Sequence, residues 1–178
     1  MLKPLNLLVV TSFAFGLLHT QDTIAKEKRS VNKIIHVSTV LNCTPQKAFA
    51  FFTGNTLLQS WLTAVAEVEP KVGGKYELFW QPSDRENNST IGCKVTAVEQ
   101  NEFISFEWRS PKQFKHFANS ADPLTHGVVF FIPKEDSTEV HLIHSGWRSS
   151  PEWEEARQWQ LNAWNGAFEQ LRKKVNGQ

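Results

Sequence analysis

The chain has 178 residues, a formal net charge of +1, 40% hydrophobic and 21% charged residues. Those values describe one domain of ordinary size, long enough to bury a core. They give no electrostatic basis for binding nucleic acid or an anionic membrane surface. The unusual counts are 13 Phe and 7 Trp against 1 Met and 1 Tyr. Large aromatics fill cores and also line pockets, so both uses stay open at this point.

The first 25 residues read as an export signal rather than as part of the fold. Lys3 supplies a positive start, and Leu5 to Leu18 is an apolar run of secretory length, too short for a membrane span. Thr23 and Ala25 place a processing site after Ala25, although the motif is imperfect. An uncleaved leader acting as a membrane anchor is the alternative. The leader is bacterial in style, and no Cys directly follows the apolar run, which speaks against a lipid anchor. The expected location is therefore periplasmic or secreted. Residues 26–31 form a charged linker, and the domain is expected over 32–176.

Asn32 to Asn42 is rich in β-branched residues with partial alternation, the pattern of a first strand. Thr44-Pro45 then starts a helix, with Thr as cap and Pro at the first helical position. Gly54-Asn55 breaks it, and a second short helical piece ends near Trp61. Gly73-Gly74 turns the chain into KYELFW. Four further strand patterns follow, STIGCKVTAVEQ, NEFISFEWRS, THGVVFFIP and STEVHLIHSGW, joined by short polar turns that imply an antiparallel sheet. Pro111 to Pro123 interrupts them as a longer loop. Ser150-Pro151-Glu152 opens a long last helix, Trp164, Ala167, Phe168, Leu171 and Val175 recur at helical spacing, and Asn176-Gly177 closes it. The fold class is α+β: a curved antiparallel sheet of about six strands packed on a long C-terminal helix, with two short helices after the first strand.

Four segments carry a family resemblance: WLTAVAEVEPKVGGKYELFW, FISFEWR, TEVHLIHSGW and AWNGAFEQLRK. They resemble the START-like superfamily, also called SRPBCC, and within it proteins similar to the C-terminal domain of the activator of heat-shock-protein-90 ATPase. The resemblance spans Asn32 to Val175, and its most specific parts are Gly73-Gly74 and the His144-x-Gly146-Trp147 strand end. It implies a helix-grip fold with an internal hydrophobic cavity. It does not imply one function, because members bind lipids, hormones or polyketides and some are cyclases or hydrolases. Chaperone activation is cytosolic, so the leader argues against carrying that activity over.

Strand alternation nominates the residues that face the space under the last helix. They are Tyr76, Leu78 and Trp80, then Ile104, Phe106 and Trp108, then Val140, Leu142 and His144. In HGVVFFIP both alternating sets are apolar, and the expected inward set is Val128, Phe130 and Ile132. With Trp61, Trp164 and Phe168 these make an aromatic-lined space, either an open ligand cavity or a filled core. His144 is the sharpest polar candidate, able to orient a ligand carbonyl or act as a base; the plain alternative is a histidine satisfied by one hydrogen bond under the helix. His126 is a candidate for the cavity rim, and Trp147 and Trp159 are expected to meet solvent or a partner. An enzyme using His144 or Glu107, or an envelope interaction module, remains a second reading. The sequence names no protein partner. Cys43 and Cys93 admit a disulfide by count, but their elements need not be neighbours. No CxxC or His-rich spacing calls for zinc or haem, and no cofactor is expected.

Overall fold

The computed structural model describes residues 33–177. The leader over 1–25 and the linker over 26–31 lie outside the described residues. Strand β1 (Ile35–Leu41) is followed by helices α1 (Pro45–Thr53) and α2 (Asn55–Gln59). Strands β2 (Val65–Val68), β3 (Tyr76–Phe79), β4 (Val95–Glu99) and β5 (Phe103–Trp108) come next. A 3-10 turn at Lys112–Phe114 runs into the short helix α3 (Lys115–Ala118). Strands β6 (Thr125–Pro133) and β7 (Thr138–Ser145) complete the sheet before helix α4 (Pro151–Asn176). The α+β expectation holds. Strand β2, which sequence patterning did not single out, pairs with β3 as a separate ribbon.

The main sheet has the order β1-β7-β6-β5-β4, with every observed pairing antiparallel. The β2-β3 ribbon continues it past β4 through an isolated bridge between Lys75 and Lys94. The Gly73-Gly74 turn has two separate causes. Gly73 has φ of +78°, and a Cβ on Gly74 would lie 2.4 Å from the Glu69 carbonyl oxygen.

Caps set the helix boundaries where the sequence marks them. The Thr44 side chain accepts from the Lys47 N–H and Pro45 begins α1. The Ser150 side chain accepts from the Trp153 N–H, Pro151 begins α4, and Gly177 ends it in the left-handed conformation. Helix α4 runs in the direction of β1. Lys33 meets Glu154 at its start, and Asn176 bridges the Val40 carbonyl and the Asn42 N–H at its end. Its buried face is Trp153, Ala156, Gln160, Trp164, Phe168 and Leu171.

The register of β6 corrects one expectation. Val129 lies opposite Leu142 and Phe131 opposite Val140, so the inward set is Gly127, Val129 and Phe131. Val128, Phe130 and Ile132 point to the outer face, with Phe130 40% exposed. Both sets are apolar, so composition could not choose between them; the neighbouring strands do. Phe131 packs edge-on against Phe49 and Phe52, tying α1 to the sheet. Trp147, expected at the surface, is buried, and its indole N–H donates to the His144 carbonyl.

Candidate functional site

Helix α4 covers the inner face of the sheet but does not fill the space near the ends of α2, β3 and β5. A cavity of about 600 Å³ remains there, open on one side. That falls within the range of about 300–1,000 Å³ usual for small-molecule sites. Trp61, Trp80, Trp108, Trp159 and Trp164 line it. Trp80, Trp108 and Trp164 form a continuous aromatic surface, with ring centroids 5.8 and 4.7 Å apart.

Four of these five indole N–H groups donate to another protein group. Trp61 donates to the Phe51 carbonyl at 3.0 Å and Trp80 to the Leu62 carbonyl at 2.7 Å. Trp108 donates to Oε1 of Gln160 at 3.2 Å and Trp164 to Nδ1 of His144 at 3.1 Å. These bonds hold the rings in place and leave carbon surfaces to face the space. The remaining lining is largely amide side chains, among them Asn88, Gln113, Gln160 and Asn162, together with Arg109. No Asp or Glu lines it.

The nominated residues divide into three groups. Trp61, Trp80, Trp108 and Trp164 line the cavity. Tyr76, Leu78, Ile104, Phe106, Leu142 and Phe168 are filled core, each 0–2% exposed and away from the open space. Tyr76 and Phe106 stack face to face with centroids 3.9 Å apart, which closes the inner sheet surface there. Val128 and Phe130 face outward, so they are corrected out of the set. An opening and a filled core thus lie side by side along the middle of α4.

His144 lies in the core column and not in the cavity wall. It is 0% exposed, with the rings of Trp108, Trp147 and Trp164 around it at 6.1, 4.7 and 6.4 Å. Burial, and secondarily the positive charge His126 can acquire, pushes its pKa down to about 3, so it stays neutral. Because Nδ1 accepts from Trp164, the proton sits on Nε2, which has no partner among the described residues. Glu107 is on the opposite face of the sheet, where its carboxylate accepts from the Lys94 N–H, so the two cannot work as a pair. His126 is likewise on the outer face, with Nε2 hydrogen-bonded to Thr96 at 2.5 Å and Ser105 at 3.2 Å, rather than at the cavity rim. Among the described residues no cluster of His, Cys, Asp or Glu could hold a metal ion.

Arg109 is a cavity-lining residue that strand alternation did not nominate. Strand parity assigns it to the outer face with Glu107, but β5 ends at Trp108 and the next residue is free of the alternation. The Ser110-Pro111 break directly after it was the available signal.

Residues 42–176 match the family described as Activator of Hsp90 ATPase homolog 1-like protein. The chain belongs to that family. The Activator of Hsp90 ATPase homolog 1-like fold extends to solved structures of low identity. The MLL2253 protein of Mesorhizobium loti is 22% identical, with a TM-score of 0.66 over 81% of this chain and 97% of that one. An HSP90 activator from Plasmodium falciparum is 23% identical, with a TM-score of 0.61 over 81% of this chain and 96% of that one. The Aha1 dimer from Colwellia psychrerythraea is 16% identical, with a TM-score of 0.62 over 80% of this chain and 96% of that one. At such identities the likeness is one of fold. No curated protein matches the chain significantly.

Proposed function

We propose that this member of the family is an exported protein that binds a small hydrophobic or amphipathic ligand between its sheet and its last helix. One observation carries the reading. The cavity of about 600 Å³ is lined by five indoles, and the N–H groups of Trp61, Trp80, Trp108 and Trp164 bond elsewhere in the protein, so those four rings offer fixed apolar faces. Such a space gains free energy by taking up a molecule with matching apolar area, at about 25 cal/mol per Å² removed from water. The leader-like run Leu5 to Leu18 supports export, which would separate the protein from a cytosolic chaperone.

Native mass spectrometry of the protein purified gently from its host, with extraction of anything bound, tests this reading. A stoichiometric small molecule is expected. Ala163 lines the cavity from α4, so Ala163→Phe narrows the space without removing a contact and should release the molecule. A clean unliganded mass, with no uptake of fluorescent fatty-acid probes, would overturn the proposal.

A further inference from the structure

The polar groups around the cavity both donate and accept. Gln81 lies just past β3, Gln113 is in the 3-10 turn and Gln170 is on α4, and all three border the same opening. They are exposed, and their side chains have no hydrogen-bond partner among the described residues. Each carboxamide therefore keeps an acceptor oxygen and two N–H donors for whatever enters. Gln160 and Asn88 add donors, because their oxygens already accept from the Trp108 indole and the Lys112 N–H. Among the lining indoles, Trp80 and Trp159 are 38% and 41% exposed, whereas Trp61, Trp108 and Trp164 are buried.

The same lining disfavours an ionised ligand. It contains no Asp, Glu, Lys or His. Arg109, its one charged residue, lies against Gly92, 3.6 Å from where a Cβ would stand, and hydrogen-bonds the Cys93 side chain beside the carboxylates of Glu77 and Glu107. A cation would meet this guanidinium with no acid in the lining to offset it, and an anion would find it already engaged and face amide oxygens. A plain hydrocarbon would strip water from the carboxamides and return no hydrogen bond. A hydroxyl both donates and accepts, so it answers a carboxamide on either side. A sugar ring carries several hydroxyls around C–H faces whose positive edges suit the negative face of an indole.

We infer that the ligand is an uncharged glycoside, with its sugar among Gln81, Gln113 and Gln170 and its apolar aglycone on the buried indoles. The inference rests on the cavity being a ligand site. Four probes that share one coumarin test it: methylumbelliferyl β-glucoside, the β-galactoside, the anionic β-glucuronide, and the sugar-free methyl ether. Each is titrated by calorimetry into the wild type, Gln113→Leu, Gln170→Leu and Ala163→Phe. A neutral glycoside should bind the wild type about tenfold or more tighter than the methyl ether, the scale of one or two net hydrogen bonds, and tighter than the glucuronide. Gln113→Leu and Gln170→Leu alter exposed side chains, so both should fold; each should shrink that advantage and leave binding of the methyl ether unchanged. Ala163→Phe should weaken all four probes. Equal binding of glycosides and methyl ether, tighter binding of the glucuronide, or an advantage that survives both glutamine replacements overturns the glycoside assignment while leaving the cavity reading intact. Binding of no probe overturns both. Glycoside binding insensitive to Ala163→Phe places the probe elsewhere and also overturns the assignment.

Discussion

The indole N–H of Trp164 donates to Nδ1 of His144 across 3.1 Å, with the imidazole fully buried. This bond joins the cavity wall to the core and fixes the histidine in one neutral tautomer. It also makes stability depend on pH with a definite sign. The folded pKa is depressed to about 3 by burial, below the ordinary value of 6.5. Between those values the unfolded chain takes up a proton that the folded chain refuses, so stability is full above pH 6.5 and falls with acid. His144→Leu removes this dependence. Urea unfolding of both proteins from pH 6.5 down to 4.5 should show the wild type losing stability relative to the variant, approaching about 1.4 kcal/mol per pH unit. Parallel pH profiles would mean that the ring is not buried neutral.

The register of β6 separates two adjacent phenylalanines. Phe131 is 3% exposed and meets Phe49 and Phe52 at 5.5 and 5.4 Å, whereas Phe130 is 40% exposed and meets Phe103 at 6.0 Å. Phe131→Ala should cost about 3–5 kcal/mol, the range for emptying a buried aromatic site. Phe130→Ala should cost under about 1 kcal/mol, as a largely surface change does. Chemical denaturation of the two variants measures the contrast, and equal losses would reverse the assignment of faces.

These residues also mark where sequence was enough. Helix ends were legible because Thr44-Pro45, Ser150-Pro151 and Gly177 act locally through caps and dihedrals. The inward columns of β5 and β7 were legible because Ser105 and Glu107 alternate with Ile104, Phe106 and Trp108, and Glu139 and His141 with Val140 and Leu142. In β6 that contrast vanishes, and only pairing with Leu142 and Val140 selects Val129 and Phe131. Which indoles border empty space was not legible either. Trp164 and Phe168 both lie on the buried stripe of α4, yet only Trp164 reaches the opening left at the ends of α2, β3 and β5. That depends on how far the helix stands from the sheet, a distance no single segment encodes.

The cysteines are at opposite margins of the sheet. Cys43 follows β1 and Cys93 precedes β4, the two edge strands. Four strand spacings separate those edges, roughly 19 Å, too far for a disulfide without rebuilding the sheet. Both are free thiols. Burial pushes Cys93 up to about 12 and raises Cys43 as well. At pH 8, Ellman's reagent should modify half-buried Cys43 slowly and leave Cys93 untouched, while denaturant without reductant should release both. Rapid labelling of Cys93 in the native protein, or a missing thiol in denaturant, would contradict this arrangement.

Gly127 lies opposite Phe106 on β5, and the absence of a side chain there lets the ring lie across the strand. A Cβ would sit 2.6 Å from Cε2 of Phe106 and 3.1 Å from its Cζ. The ring cannot retreat, because Tyr76 stacks on it with an interplanar angle of 2° and itself donates its hydroxyl proton to the Phe52 carbonyl. Gly127→Ala should therefore destabilise by about 1–3 kcal/mol, as overpacking of a filled core does, despite the higher strand preference of alanine. Gly166 is the internal control. It is a helical glycine with open space around a built Cβ, so Gly166→Ala should stabilise by roughly 0.5–1 kcal/mol through backbone entropy. Thermal or urea unfolding that moved both variants in the same direction would show that the Tyr76–Phe106–Gly127 stack is not the rigid layer described.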